Sequence, residues 1–135
     1  MTAAPASMPM RTREGWTLAT DSDVVQVRFD HALTLVLDGS LAIRIECPLV
    51  YFDGRTERTA IPGNAESVAP LAGLYGTQVR EASITADVLR VEFRGDQWLR
   101  VAPDDDFEAY SVTWDGPEEK LLIVCMPGGG LADWS

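Results

Sequence analysis

Cys125 is the residue whose surroundings most suggest chemistry. It is followed by Pro127 and by three consecutive glycines, 128–130, in the tail VCMPGGGLADWS. A thiolate that attacks a carbonyl needs donors for the developing oxyanion, and glycine N–H groups supply them with no side chain in the way. It also needs a base. The chain has one histidine, His31, between Asp30 and Ala32 just ahead of an alternating segment. Any Ser–His or Cys–His mechanism has to run through that one imidazole, and one imidazole is no metal cluster. The four residues before Cys125 point the other way. Leu121, Leu122, Ile123 and Val124 mark it as a small buried apolar residue with an ordinary or raised pKa. Cys47, ahead of Pro48 at the end of another apolar run, reads alike, and two cysteines make neither a disulfide framework nor a CxxC metal spacing.

The second constellation is acidic. PDDDFE at 103–108 places Asp104, Asp105, Asp106 and Glu108 in one loop. A hard cation needs several oxygens converging on one point, which adjacent loop residues do not supply, and the spaced D-x-D-x-D-G calcium pattern is absent. The loop reads as solvated and suited to docking a basic surface. A third constellation is aromatic: Tyr75, Trp98 and Tyr110 would line the mouth of a small barrel, with Cys125 or the 104–108 loop as its polar group. No G-x-S-x-G elbow, P-loop or helix-opening G-x-G-x-x-G is present. The triple glycine has no helix after it to hold a phosphate, since only LADWS remains.

These residues need elements to position them. The length, 135 residues, suits one domain, and 46% apolar with 24% charged residues suits a soluble globular chain. The formal charge is −10, most of it carried by residues 81–135. Such a surface repels phosphate backbones and anionic headgroups, so nucleic acid and membrane are not expected partners, and a basic protein is. No apolar run approaches the ~18–20 residues of a bilayer span. The opening MTAAPASMPMRTREG reads as a disordered lead over 1–14 without a signal-peptide core, ahead of a single β-rich domain over 15–135. The cytoplasm is the expected compartment.

Period-two alternation dominates that domain. VVQVRF (24–29) is one strand. Leu33, Leu35 and Leu37, then Asp38-Gly39, then Leu41, Ile43 and Ile45 make a hairpin. Residues 53–65 are loop-like. NAESVAPLAGLYG (64–76) is the only helical candidate, with Asn64 or Ser67 as cap, Val68, Leu71, Leu74 and Tyr75 on one face, and Pro70 keeping it short. Strands resume at 77–84, in a second hairpin at 87–102 that turns at Gly95-Asp96, at 107–114, and in LLIVCM (121–126). QVR at 26–28 returns at 78–80, and each copy precedes a similar hairpin, which raises an internal duplication. The expected fold is mainly β: an antiparallel meander sheet, or a small barrel or sandwich, of about seven to eight strands with one short helix near 65–75. In it 121–126 is the last strand, and Leu131 and Trp134 pin the tail to the core.

VRFDHALTLVLDG (27–39), LAIRIE (41–46), PLAGLYGTQV (70–79), VAPDDDFEAYSV (101–112) and VCMPGGGLADW (124–134) carry a resemblance. With them the chain resembles a mainly actinobacterial family of short proteins of unknown function. The resemblance implies a small β-rich domain with a final strand and a glycine turn, and it implies no activity. The chain is also similar in style to small acidic immunity proteins that neutralise bacterial toxins.

The reading that follows is a non-enzymatic, cytoplasmic domain that binds a basic protein, immunity- or inhibitor-like in its sharpest form. Its expected binding residues are Asp104, Asp105, Asp106, Glu108, Tyr110 and Trp98. No catalytic residue, metal or cofactor is assigned. The alternative is a small-ligand-binding or enzymatic barrel using Cys125 or the acidic loop. An uncovered sheet edge would also allow a homodimer.

Overall fold

The structure, a computed structural model, describes residues 8–38 and 40–135. Its first strand, β1 (Met10–Arg11), lies within the segment read as a disordered lead and pairs with the start of β2 (Gly15–Phe29), Arg11 opposite Trp16. Residues 1–7 lie outside the described residues.

The two hairpins form where alternation placed them. β3 (Leu33–Leu37) and β4 (Leu41–Ile45) bury Leu33, Leu35, Leu37, Leu41, Ile43 and Ile45 on one face. Asp38 takes φ 46° and the Ser40 N–H bonds the Leu37 carbonyl, closing a tight turn; Gly39, expected to share it, lies outside the described residues. β7 (Gln78–Thr85), β8 (Val88–Phe93) and β9 (Trp98–Val101) repeat the scheme, with Leu89, Val91, Phe93, Leu99 and Val101 inward.

Among the described residues twelve antiparallel strands are present against the seven to eight expected. Besides β1, the additions are β5 (Leu49–Phe52), β6 (Glu57–Ala60) and the terminal strand β12 (Leu131–Trp134). β6 runs through the segment read as a loop. Its Glu57, Arg58 and Thr59 are exposed, so it has no apolar alternation to reveal it, and pairing with β5 makes it a strand. β10 (Tyr110–Asp115) is shorter than the 107–114 reading, and β11 (Lys120–Cys125) is the last strand but one.

Among the described residues one short α-helix is present, as expected. α1 (Ala65–Val68) starts at Asn64, whose Oδ1 accepts the Ser67 N–H at 3.0 Å, and passes into a 3-10 turn, Ala69–Leu74, that has Pro70 at its start. Proline there removes only a donor that a first turn leaves unpaired. Val68, Leu71 and Leu74 are buried, but Tyr75, expected beside them, is 68% exposed because the backbone leaves the turn there for an extended conformation.

The strands run β12-β11-β10-β4-β3-β2-β7-β8-β9-β5-β6, an open order and not a closed barrel. β2 joins the halves. Its first part, Gly15 to Asp23, pairs with β7, and its second, Val24 to Phe29, pairs with β3. Asp21 at φ 48° and register shifts at Thr17/Ala19 and Val24/Gln26 bend it between the two. The inward residues of both halves meet in one core. Gly15 marks a close approach, since a Cβ there would collide with the Ile84 carbonyl. Arg11 and Asp133, 2.8 Å apart, tie β1 to β12.

The connections follow one path twice. The meander β2–β3–β4 leads into the hairpin β5–β6, which pairs with β9 of the other half. The meander β7–β8–β9 leads into the hairpin β10–β11, which pairs with β4 of the first half.

Candidate functional site

The glycine turn does hold an anion, and the anion is the protein's own. Ala86 and Asp87 turn the chain between β7 and β8, both at positive φ (49° and 65°), and neither is a glycine. A left-handed conformation costs an ordinary L-residue about 1–2 kcal/mol. Contacts from the far half of the sheet hold it. The Tyr110 hydroxyl donates to the Asp87 carbonyl at 2.7 Å, the Cys125 thiol faces the same oxygen at 3.9 Å, and the Gly130 N–H donates to Asp87 Oδ2 at 2.9 Å. Gly128, Gly129 and Gly130 all take positive φ, and the Met126 N–H closes their turn on the Gly130 carbonyl. The sequence reading missed Asp87. Its role depends on a two-residue turn without glycine, and the only trace is an aspartate, a residue that tolerates this conformation, between two strand patterns.

Both thiols lie inside the core. Cys125 is fully buried; burial raises its pKa, and the Tyr110 hydroxyl offsets that only in part. Burial pushes the Cys47 thiol up to about 11, with a further contribution from Asp104. Both cysteines are free. Cys125 on β11 and the β4 line leading to Cys47 are two strand spacings apart, with β10 between them. His31 is exposed in the bend before β3. Beside it the Asp30 carboxylate accepts the Ala32 N–H at 2.8 Å, a bond that lowers the Asp30 pKa.

The six expected binding residues do not converge. Tyr110 is 0% exposed, its hydroxyl spent on Asp87, so it lines no mouth; burial first, then the neighbouring Cys125, hold its phenol well above the usual range. Trp98 lies on β9, in the other half of the sheet. Phe52 stacks on it at 5.9 Å, and Arg90 and Arg100 sit over its ring at 5.2 and 5.5 Å. Arg90 also bonds Glu92 at 3.1 Å. This cross-strand stack satisfies its own cations, and the cleft behind it, under Leu71 and Leu74, measures about 90 Å³.

Asp104, Asp105, Asp106 and Glu108 do share a loop. Asp104 folds it by accepting the Asp106 and Phe107 N–H groups, both at 3.0 Å, and its carbonyl takes the Gly128 N–H at 2.7 Å. Asp105, Asp106, Phe107 and Glu108 are exposed. Among the described residues no group of three or more His, Cys, Asp or Glu side chains is placed to hold a metal.

That loop sits at one end of the ribbon β10–β11–β12. At the other end the β10–β11 turn exposes Asp115, Glu118 and Glu119. Residues 103–135 hold eight carboxylates against Lys120 as their one cation. Between these acidic ends, Thr113, Leu122 and Trp134 are in register on one face of the ribbon. They line a cleft of about 420 Å³ with Trp114, Leu121 and Lys120. Trp134 is 55% exposed and does not pin the tail inward; its place in the alternation turns it to the outer face, while Leu131, opposite Cys125, packs on the core. Trp114 Nε1 is buried with no acceptor among the described residues.

With this geometry in hand, comparison with known families gives one clear result. Residues 16–135 match a family of unknown function, DUF6188, and the chain belongs to that family. No curated protein and no solved structure matches the chain. Among the described residues no helix is long and apolar enough to cross a membrane.

Proposed function

We propose that this protein is a non-enzymatic, cytoplasmic binding domain that docks a basic protein through the ribbon β10–β12 and its two acidic loops. One observation carries the reading: residues 103–135 hold eight carboxylates against a single lysine, and six of the eight, Asp105, Asp106, Glu108, Asp115, Glu118 and Glu119, are exposed at the two ends of a ribbon that also exposes Trp134 and Phe107. Aromatic anchors inside a charged rim are what protein interfaces use. The thiols and the phenol that catalysis would recruit are buried and face backbone carbonyls, Tyr110 and Cys125 that of Asp87 and Cys47 that of Ala102. In its sharpest form the role is that of an immunity protein or inhibitor covering a basic functional surface. The twice-followed strand path supports an origin of the domain by internal duplication.

The test is capture from lysate at about 50 mM salt, where screening is weak. The wild-type chain is compared with a variant carrying Asp104→Asn, Asp105→Asn, Asp106→Asn, Glu118→Gln and Glu119→Gln. A basic protein held by the wild type and released by the variant is the expected result. Equal capture by both, or none by either, overturns the reading.

A further inference from the structure

Among the described residues the main strand path ends at β6 and at β12, with β1 beside β2 off that path, and the two ends are finished differently. β6 carries the exposed charges of Glu57 and Arg58, and just beyond it the Ile61 N–H is taken by Ser67 Oγ. Charged side chains on an edge discourage pairing with another strand. β12 reads Leu-Ala-Asp-Trp. Its one charge, Asp133, is engaged by Arg11 reaching over from β1.

The ladder shows which backbone groups of β12 are spare. The Met126 N–H bonds the Gly130 carbonyl, and Val124 pairs with Ala132 and Leu122 with Trp134. Hydrogen-bonded pairs in an antiparallel ladder recur every second residue. Ala132 and Trp134 therefore bond inward to β11, and the N–H and C=O groups of Leu131 and Asp133 face outward.

We propose that β12 is an acceptor edge: a short, basic, extended segment of the partner adds to the sheet beside it and places an apolar side chain against Trp134. This rests on the protein-binding reading above and gives it a mode. Charge selects the occupant. Asp104, Asp105, Asp106 and Glu108 flank the Leu131 end, where Gly128 bonds the Asp104 carbonyl. Asp115, Glu118 and Glu119 flank the Trp134 end. A second copy pairing β12 with β12 would bring the same carboxylates against these. A segment with Lys or Arg at both ends complements them. Four residues of edge span about 13 Å, so a segment of about five residues covers it. Backbone bonds to the edge provide the affinity and the cleft beside Trp134 the selectivity.

The experiment is an NMR titration of the full chain with acetyl-Lys-Val-Thr-Val-Lys-amide, and with the same peptide carrying Glu in place of Lys. The basic peptide is expected to shift the Leu131–Trp134 amides and the Trp134 indole, and the acidic one to shift neither. Trp134→Ala, at an exposed site that leaves folding intact, is expected to weaken the basic peptide at least tenfold. Shifts confined to β6 or to the Trp98 stack, or no shift at all, overturn the proposal. So does a dimer in sedimentation that Trp134→Ala abolishes, since a second copy would then occupy the edge. If lysate capture depends on the acidic loops while Trp134→Ala changes nothing, the protein-binding reading stands and the acceptor edge falls.

Discussion

Replacing Tyr110 by Phe removes one oxygen and tests the central lock of the fold. The ring stays buried, so no apolar area is lost. What disappears is the 2.7 Å bond to the Asp87 carbonyl. Among the described residues the other side chain facing that oxygen is the Cys125 thiol, a weak donor at 3.9 Å. A buried hydrogen bond contributes about 1 kcal/mol net, and a carbonyl left without a good donor adds a desolvation cost of similar size. The expected loss is about 1–2 kcal/mol. At about 2.1 cal/mol/K per residue a chain of this size unfolds with an entropy near 0.3 kcal/mol/K, so Tm should fall by about 4–7 °C. Urea unfolding followed by tryptophan fluorescence, with calorimetry beside it, measures both. Cys125→Ala should couple to Tyr110→Phe, because both side chains face one oxygen. A Tyr110→Phe protein within about 0.3 kcal/mol of wild type would refute the reasoning and show that the 86–87 turn stands without its far-side donor.

Three further outcomes are expected. Stability should hold through neutral pH and fall above about pH 9: the raised pKa values of Cys47, Cys125 and Tyr110 keep these groups protonated in the fold while the unfolded chain ionises, so their contribution is full below the ordinary pKa values and is lost as pH climbs through the raised ones, which denaturant midpoints between pH 7 and 11 would show. Gly15→Ala should cost about 3 kcal/mol or more, or prevent folding, because the new methyl meets backbone at Ile84 and not a movable side chain; circular dichroism and thermal melts report it. Removing residues 131–135 should lower Tm, since it strips the ladder of β11, the core contact of Leu131 and the Arg11–Asp133 pair, and an unchanged melt would contradict that account.

What the sequence disclosed followed from where apolar residues alternate. The hairpins at 33–45 and 88–101 each bury one face, so period two reveals them. β6 has Glu57, Arg58 and Thr59 outward with only Ala60 buried, and β12 has Trp134 outward, so both owe their strand character to a neighbour's ladder and not to their own pattern. β2 was half legible: Val24 to Phe29 alternate, while Gly15 to Asp23, with the bend at Asp21, carries no comparable pattern and is strand all the same. The acidic loop was visible as composition. The distance between Tyr110 and Trp98 was not, because it follows from strand order, which local pattern does not encode. The tail reads as a closing turn and not as an anion site, and nothing local discloses that its Gly130 N–H meets the Asp87 carboxylate from 43 residues away.

The exchanged hairpins make each half of the chain the scaffold of the other. β4 has no outer neighbour until β10 has been made, and β9 has none until β5 returns to it. Neither meander can complete its own sheet, so assembly has to close long loops before most of the ladder forms, and folding should be slow and all-or-none. The same interlock survives a cut backbone. Fragments 1–61 and 62–135, divided in the loop after β6, each keep one meander and one hairpin meant for the other. Expressed together they should reassemble into a folded heterodimer, while each alone should lack stable structure by circular dichroism.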